Sequence, residues 1–235
     1  MEPLPNPAST PSPPISSLTS PIPVPTYGPG GTFSIFTSTH IASRPETGLR
    51  ALLDHGSYHL WNSFTPHISI NSQAPPQPTA DGDGINDPQA VPRSLPPVEL
   101  GAGDLQPGMR FTLTACLTRA PWPFALKNHV PLEITRVEAL SAADGRAGYR
   151  VAWKSIGQPE WILRAERVQE LVLVEGGDGG TEYRCWETFG GPVAWLVKLL
   201  MGGSLRKRFA ECALDLKVWC ERGEGEREVA GAGSK

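Results

Sequence analysis

The sequence predicts an α+β domain: a curved, seven-stranded antiparallel sheet wrapped around one long C-terminal helix, with two short helices after the first strand. Three observations carry this. Segments that alternate apolar and polar residues recur from Thr32 to Phe189, the pattern of half-buried strands. No helical pattern separates the strands between residues 67 and 189, and parallel neighbours would need such crossovers. After Gly190-Gly191-Pro192, apolar residues at helical spacing persist through Cys220, more than twice the length of an average helix.

Taken in order, residues 1–31 are Pro, Ser and Thr with almost no charge. Such a segment buries too little apolar surface to offset its ordering entropy and reads as a disordered tail. Pro11-Ser12-Pro13-Pro14 has P-x-x-P spacing without a flanking base and reads as linker. Thr32–Ile41 is the first strand. Ser43-Arg44-Pro45-Glu46 starts a helix, with Ser43 as its cap and Leu49, Leu52 and Leu53 on its apolar face. Ser57–Asn62 forms a second short helix and His67–Asn71 the next strand. Residues 73–107 hold eight prolines and read as a disordered insert. Within it, Asp81-Gly82-Asp83-Gly84 is half a calcium loop, but Ile85 replaces the next ligand and no Glu closes it. Met109–Cys116 alternates again. Ala120–Phe124 is a rigid aromatic loop. Val130–Leu140 changes parity between Ile134 and Val137 and so contains a bulge. Tyr149–Lys154, Trp161–Glu175 and Thr181–Gly190 complete the sheet, the last two joined by the turn Gly176–Gly180. Pro192 then suits the first turn of the closing helix. That helix carries Val193, Leu196, Val197 and Leu200, then Leu205, Phe209, Cys212, Leu216 and Trp219. Residues 223–235 read as a mobile tail.

The chain has 235 residues, a net charge of −3 and a pI near 6.0. That balance argues against a nucleic-acid partner. The one dense basic run, Arg206-Lys207-Arg208, reads as the wet face of the helix, with a lipid headgroup or anionic ligand as the alternative. Four well-separated cysteines without a C-x-x-C indicate buried, reduced thiols and a cytoplasmic compartment. No long apolar run supports stable membrane insertion, and the N-terminus lacks the features of a secretory signal. The expected state is a monomer.

No G-x-S-x-G, H-E-x-x-H or phosphate loop occurs, so no catalytic residue, metal or cofactor is assigned. His55 and His59 have metal-ligand spacing but no evident third ligand. Strand parity is more informative. Trp161, Leu163, Ala165, Arg167, Gln169, Leu171 and Leu173 share one face of their strand; Tyr183, Cys185, Glu187 and Phe189 share one face of the next. If these faces are concave, Arg167 and Glu187 are the charges inside; a register with indices summing to 354 sets them opposite, and one summing to 356 offsets them by one diagonal. The pair then orients a ligand's polar end, does acid–base work, or only satisfies itself. With the parity inverted, Ile162, Arg164, Glu166, Val168, Arg184, Trp186 and Thr188 face inward instead.

The element order, the Leu60-Trp61-Asn62-Ser63-Phe64-Thr65-Pro66 turn, Thr181-Glu182-Tyr183 and Gly190-Gly191-Pro192-Val193-Ala194 resemble the helix-grip fold of the START-like, or SRPBCC, superfamily. That superfamily includes pollen-allergen-type carriers, START lipid-transfer domains, coenzyme Q-binding proteins and aromatic polyketide cyclases. The resemblance spans residues 32–72 and 108–222, within a domain at 32–222, and is nearest to small fungal members of the polyketide cyclase and lipid transport type. It implies a cavity between sheet and closing helix that binds or transports a hydrophobic or amphipathic small molecule or lipid. A polyketide cyclase or dehydratase using the same cavity is the rival expectation. A scaffold whose cavity is filled by its own side chains, with the Pro-rich N-terminus as the active part, is a third. The lining this implies is Trp61 from the turn; Phe111 and Leu113; Tyr149, Val151 and Trp153; Leu163, Arg167, Tyr183 and Glu187; and Val197 and Leu200 from the helix. Trp61 is equally suited to filling core.

Overall fold

A computed structural model describes residues 13–73, 95, 97–101, 103–118, 127–140, 147–174 and 180–223. In chain order the elements are β1 (Ile15–Thr19), β2 (Phe33–Ile41), α1 (Pro45–Leu53), a 3-10 turn at His55–Ser57, α2 (Tyr58–Trp61), β3 (His67–Ser72), β4 (Arg110–Cys116), β5 (Lys127–Leu140), β6 (Gly148–Ser155), β7 (Arg164–Leu173), β8 (Thr181–Gly190) and α3 (Pro192–Glu221). All strands join one antiparallel sheet in the order β1-β2-β8-β7-β6-β5-β4-β3.

The sheet has eight strands rather than seven, because β1 comes from the segment read as a disordered tail. Residues 13–31 instead run along the sheet edge and across its convex face. Leu18 and Ser17 pair with Ile35 and Phe36. Val24 then packs with Ala152 and Val168, flanked by Tyr27 and Trp186. Composition hid this, since the segment holds only a few apolar residues, each used once. Part of the 73–107 insert is also ordered: Leu95, Val98 and Leu105 pack on the main core. The calcium-like run, the aromatic loop at 120–124 and the turn at 176–179 lie outside the described residues, as do residues 1–12 and 224–235.

β7 begins at Arg164 rather than Trp161, which lies exposed on the preceding loop instead of on the inner face, because Pro159 and the turn it starts delay the strand. β5 shifts register between Ile134 and Arg136, which is the bulge the change of parity requires. Arg167 pairs with Glu187. Glu166 and Val168 lie on the opposite, convex face, so the inverted parity is excluded. There the fully buried Glu166 carboxylate accepts hydrogen bonds from the Thr26 N–H at 2.9 Å, the Thr26 hydroxyl at 2.8 Å and the Thr135 hydroxyl at 2.9 Å. The N-terminal segment thus supplies the donors that a buried carboxylate needs.

α1 starts at Pro45, with Arg44 rather than Ser43 as its N-cap residue and no side-chain cap. α3 runs unbroken through Gly202-Gly203. Its contacts follow β2 from end to end: Lys198 lies over the Phe33 ring, and the Lys217 ammonium donates to the His40 carbonyl at 2.7 Å. The C-terminal half buries Leu205, Phe209, Leu216 and Trp219 as expected, with Ala213 fully buried beside them and the expected Cys212 only half-buried. The N-terminal half differs. It turns Ala194 inward, with Val197 and Met201 against the core, and leaves Leu196 and Leu200 exposed. Apolar residues surround this half of the helix, so spacing alone did not fix which of them face the sheet.

Candidate functional site

A cavity of about 260 Å³ opens between the concave face of β4–β8 and the N-terminal half of α3. Leu113, Ala115, Leu132, Trp153, Leu163, Val197, Met201 and Leu205 supply apolar walls. Asn128, His129, Ser155 and Gln158 add polar groups, and Arg167 and Glu187 are its two charged members. A mostly apolar cavity with a few convergent polar groups is the usual form of a small-molecule site.

Arg167 and Glu187 reach this wall because β7 and β8 take, of the two registers the sequence allows, the one whose indices sum to 354 and set the pair directly opposite. Arg167 Nη2 donates to Glu187 Oε2 at 2.8 Å, and Nε donates to the same oxygen at 3.1 Å. Both contacts fall on one carboxylate oxygen. Arg167 Nη1 and Glu187 Oε1 have no hydrogen bond among the described residues, and neither is among the sealed, unpartnered atoms. Of the five guanidinium N–H groups only two are engaged by Glu187, and both residues line the cavity. The guanidinium also lies 4.1 Å from the Phe209 ring centre and 5.5 Å from that of Phe64. Such stacking holds a planar cation in one orientation. Burial alone would lower the Arg167 pKa; Glu187, with smaller contributions from Cys185 and Cys212, more than offsets this and raises it. Arg167 is thus a fixed positive charge at any working pH.

One row deeper, the Tyr183 hydroxyl donates to Gln169 Oε1 at 2.7 Å, while the buried Gln169 amide nitrogen has no partner among the described residues. Burial raises the Tyr183 pKa well above its ordinary value. It also pushes the Cys185 thiol up to about 11 and the Cys212 thiol up to about 12, against the pull of Arg167 on both. These thiols are protonated and unreactive near neutral pH.

Of the sequence-predicted lining, Leu113, Trp153, Leu163, Arg167, Glu187 and Val197 meet at this cavity. Phe111 lies behind the wall, edge-on to Trp153 with ring centres 6.0 Å apart. Val151 and Tyr183 are sealed in the core. Trp61 packs on Tyr58 in the core, ring centres 4.9 Å apart, and Asn62 Oδ1 accepts the Thr65 N–H at 2.8 Å to close the turn. Leu200 is 69% exposed, on the outer side of α3. Tyr149 instead lines a separate groove of about 560 Å³ beneath α1, together with Glu46, Arg50, Asp54, Asp104 and Trp219. That groove is larger but more polar, and α1 and residues 97–104 supply most of its lining rather than the strands. The sequence reading missed Phe64 and Phe209, which flank Arg167, and the polar rim at Asn128, His129 and Gln158. Phe209 was legible as core; its contact with Arg167 depends on how α3 crosses the sheet. Arg208, read as part of a wet basic run, is buried, paired with Glu211 and bonded to the Ser63 carbonyl at 2.6 Å.

No protein-family model matches the chain. It is 29% identical over 199 residues to Oxopyrrolidines biosynthesis cluster protein O of Penicillium oxalicum, covering 80% of this chain and 84% of the relative. Among solved structures, human STARD10 superposes with a TM-score of 0.52 at 10% identity, covering 86% of this chain and 69% of that one. A hypothetical protein of Helicobacter pylori superposes with a TM-score of 0.50 at 12% identity, covering 80% and 86%.

Proposed function

We propose that this chain, which has the helix-grip fold of the START-like superfamily, binds a small amphipathic molecule in the cavity under α3. The apolar body lies against Leu113, Trp153 and Met201, and a polar end meets Arg167 and Glu187. The observation that carries this reading is the ion pair itself: a buried arginine, packed on the Phe209 and Phe64 rings, lines an apolar cavity together with its carboxylate partner, and neither Arg167 Nη1 nor Glu187 Oε1 has another hydrogen bond among the described residues. A pair serving stability alone would have its remaining lone pairs and protons satisfied by the protein. The cavity volume, about 260 Å³, lies just below the ~300–1,000 Å³ usual for small-molecule pockets, which favours a compact ligand over a two-chain lipid. The likeness to a protein named for an oxopyrrolidine biosynthesis cluster makes small oxygenated secondary metabolites, including lactams, the first class to try.

The same two residues support a second reading, a cyclase or dehydratase. Glu187 would take the proton from a carbon next to a carbonyl, and Arg167 would stabilise the enolate oxygen. Binding and catalysis separate in one experiment. Purified protein is screened by thermal shift against substituted oxopyrrolidines, β-keto thioesters and fatty acids. A compound that binds only the native state raises the melting temperature. Hits are then incubated with protein in heavy water and followed by mass spectrometry. Stabilisation without deuterium uptake supports a carrier, and protein-dependent uptake supports the enzyme. No stabilisation by any of the three classes would sink both.

A further inference from the structure

Five large apolar side chains crowd the outer surface where α3 begins: Trp161, 73% exposed, on the loop before β7, and Trp195, Leu196, Leu199 and Leu200 on the helix, with Leu199 82% exposed. The four helical residues are spaced i, i+1, i+4 and i+5 and so form one face. Trp161 adjoins them because the neighbouring Ile162 carbonyl accepts the Val193 N–H of the first turn at 3.2 Å. The surface continues onto β1, where the Leu18 side chain packs over Gly202 and Ile15 is exposed. A soluble monomer rarely leaves so much contiguous apolar surface uncovered without a partner.

Charge identifies the partner. The chain as a whole carries −3, yet no Asp or Glu occurs from Pro13 to Pro45 or from Pro192 to Ala210. Within the helical stretch the charges are Lys198, Arg206, Lys207 and Arg208. Lys198 lies over the Trp195 ring, while Arg206 and Lys207 are exposed. Glu160, next to Trp161 in the chain, already accepts the Tyr27 hydroxyl at 3.0 Å and lies 3.5 Å from the Lys154 ammonium. A tryptophan-rich apolar face bordered by bases suits the boundary between lipid headgroups and acyl chains. A second copy suits it less, since a symmetric contact would bring like bases together. Among the described residues no helix is long and apolar enough to cross a membrane, so the contact is peripheral.

We infer that the N-terminal half of α3, with Trp161 and the outer side of β1, docks this protein on anionic phospholipid surfaces. Val197 and Met201, on the inner side of the same helical turns, line the cavity. Docking therefore brings the helical wall of the cavity against the lipid boundary. The inference stands on the surface alone and does not depend on what the cavity holds.

The full chain is tested by flotation with phosphatidylcholine vesicles, with and without about one-third phosphatidylserine, at low and high salt. Binding is expected to the serine-containing vesicles, weaker at high salt, with a blue shift of tryptophan emission. Lys198→Gln, Arg206→Gln or Lys207→Gln should each lower the partition coefficient about fivefold, the equivalent of about 1 kcal/mol per basic residue near an anionic surface. Leu199→Glu with Leu200→Glu should abolish binding and leave the melting temperature unchanged, because both side chains are already exposed. Three results would overturn the inference: no binding to either vesicle; binding indifferent to Leu199→Glu with Leu200→Glu; or a wild-type dimer in solution that these substitutions dissociate, which would assign the face to a second copy. A melting temperature lowered by several degrees in the double variant would mean that another part of the chain covers the patch, and would also overturn it.

Discussion

Glu187→Gln removes the counter-charge of Arg167 and leaves the amide in nearly the same place. The guanidinium stays packed against Phe209 and Phe64, with its side chain 10% exposed, while the Glu187 side chain is 16% exposed. Breaking a buried pair by removing one partner costs roughly 3–5 kcal/mol. The partial opening to the cavity puts the expected loss near the lower limit, about 3 kcal/mol, or ~6–12 °C in melting temperature for a domain of this size. Glu182→Gln is the control. Glu182 pairs with Arg184 at 2.7 Å, but the two side chains are 40% and 28% exposed, and such surface pairs contribute ~0–1 kcal/mol. Urea unfolding of both variants, read as a change of midpoint at constant slope, measures the difference. Replacing both members, Arg167→Met with Glu187→Leu, should recover most of the stability, because a packed apolar pair often does as well as a buried ionic one. The doubly substituted protein should at the same time lose any ligand that stabilises the wild type. Equal losses for Glu187→Gln and Glu182→Gln would refute the claim that Arg167 depends on Glu187 in a low-dielectric site.

Three further outcomes follow from particular contacts. Deleting residues 1–28 removes β1, Val24 and the Thr26 donors to Glu166. Lost burial of Val24 alone costs ~1.5–3 kcal/mol, so the melting temperature should fall by several degrees; an unchanged value would restore the disordered-tail reading. Gly191→Ala should destabilise strongly or abolish soluble expression, because Gly191 has φ +91° and a Cβ there would lie 2.5 Å from the Ile162 carbonyl oxygen; wild-type stability would contradict that geometry. Burial raises the Cys185 thiol from the ordinary 9.0 to about 11. Its contribution is therefore complete below pH 9, where the thiol is protonated in both states, and is lost as the pH rises through about 11. A urea midpoint that falls over this window in the wild type but less steeply in Cys185→Ala checks the sign, and identical profiles would refute it.

The sheet and its register were legible because β-strand parity has a period of two and one face had to be buried. Arg167 and Glu187 could be placed on the same face for that reason, directly opposite or one diagonal apart, and the bulge in β5 followed from a single change of parity. The contribution of residues 13–31 was not legible. Val24 and Thr26 matter through contacts with Val168 and Glu166, more than a hundred residues away, and a Pro-rich composition carries no trace of such contacts. The closing helix was legible as a helix, but the inward direction of its first half was not. Leu196 and Leu200 are as apolar as Val197 and Met201, so spacing allowed either set to face the sheet. Ala194 and Gly202 are the small residues on the buried side, and the sequence weighs small residues less than large ones. The resulting error moved Leu200 from the cavity to the surface. The polar rim at Asn128, His129 and Gln158 was missed because it is assembled from β5 and the turn after β6, neither of which shows a local motif.

The most direct test of the account is a crystal structure of the protein with the best-stabilising compound from the thermal-shift screen. The account predicts density between the N-terminal half of α3 and strands β4–β8, with a ligand oxygen within hydrogen-bond distance of Arg167 Nη1 and the apolar part against Trp153 and Met201. Density in the groove beneath α1, beside Tyr149 and Trp219, with the Arg167–Glu187 cavity closed over by its own side chains, would contradict it.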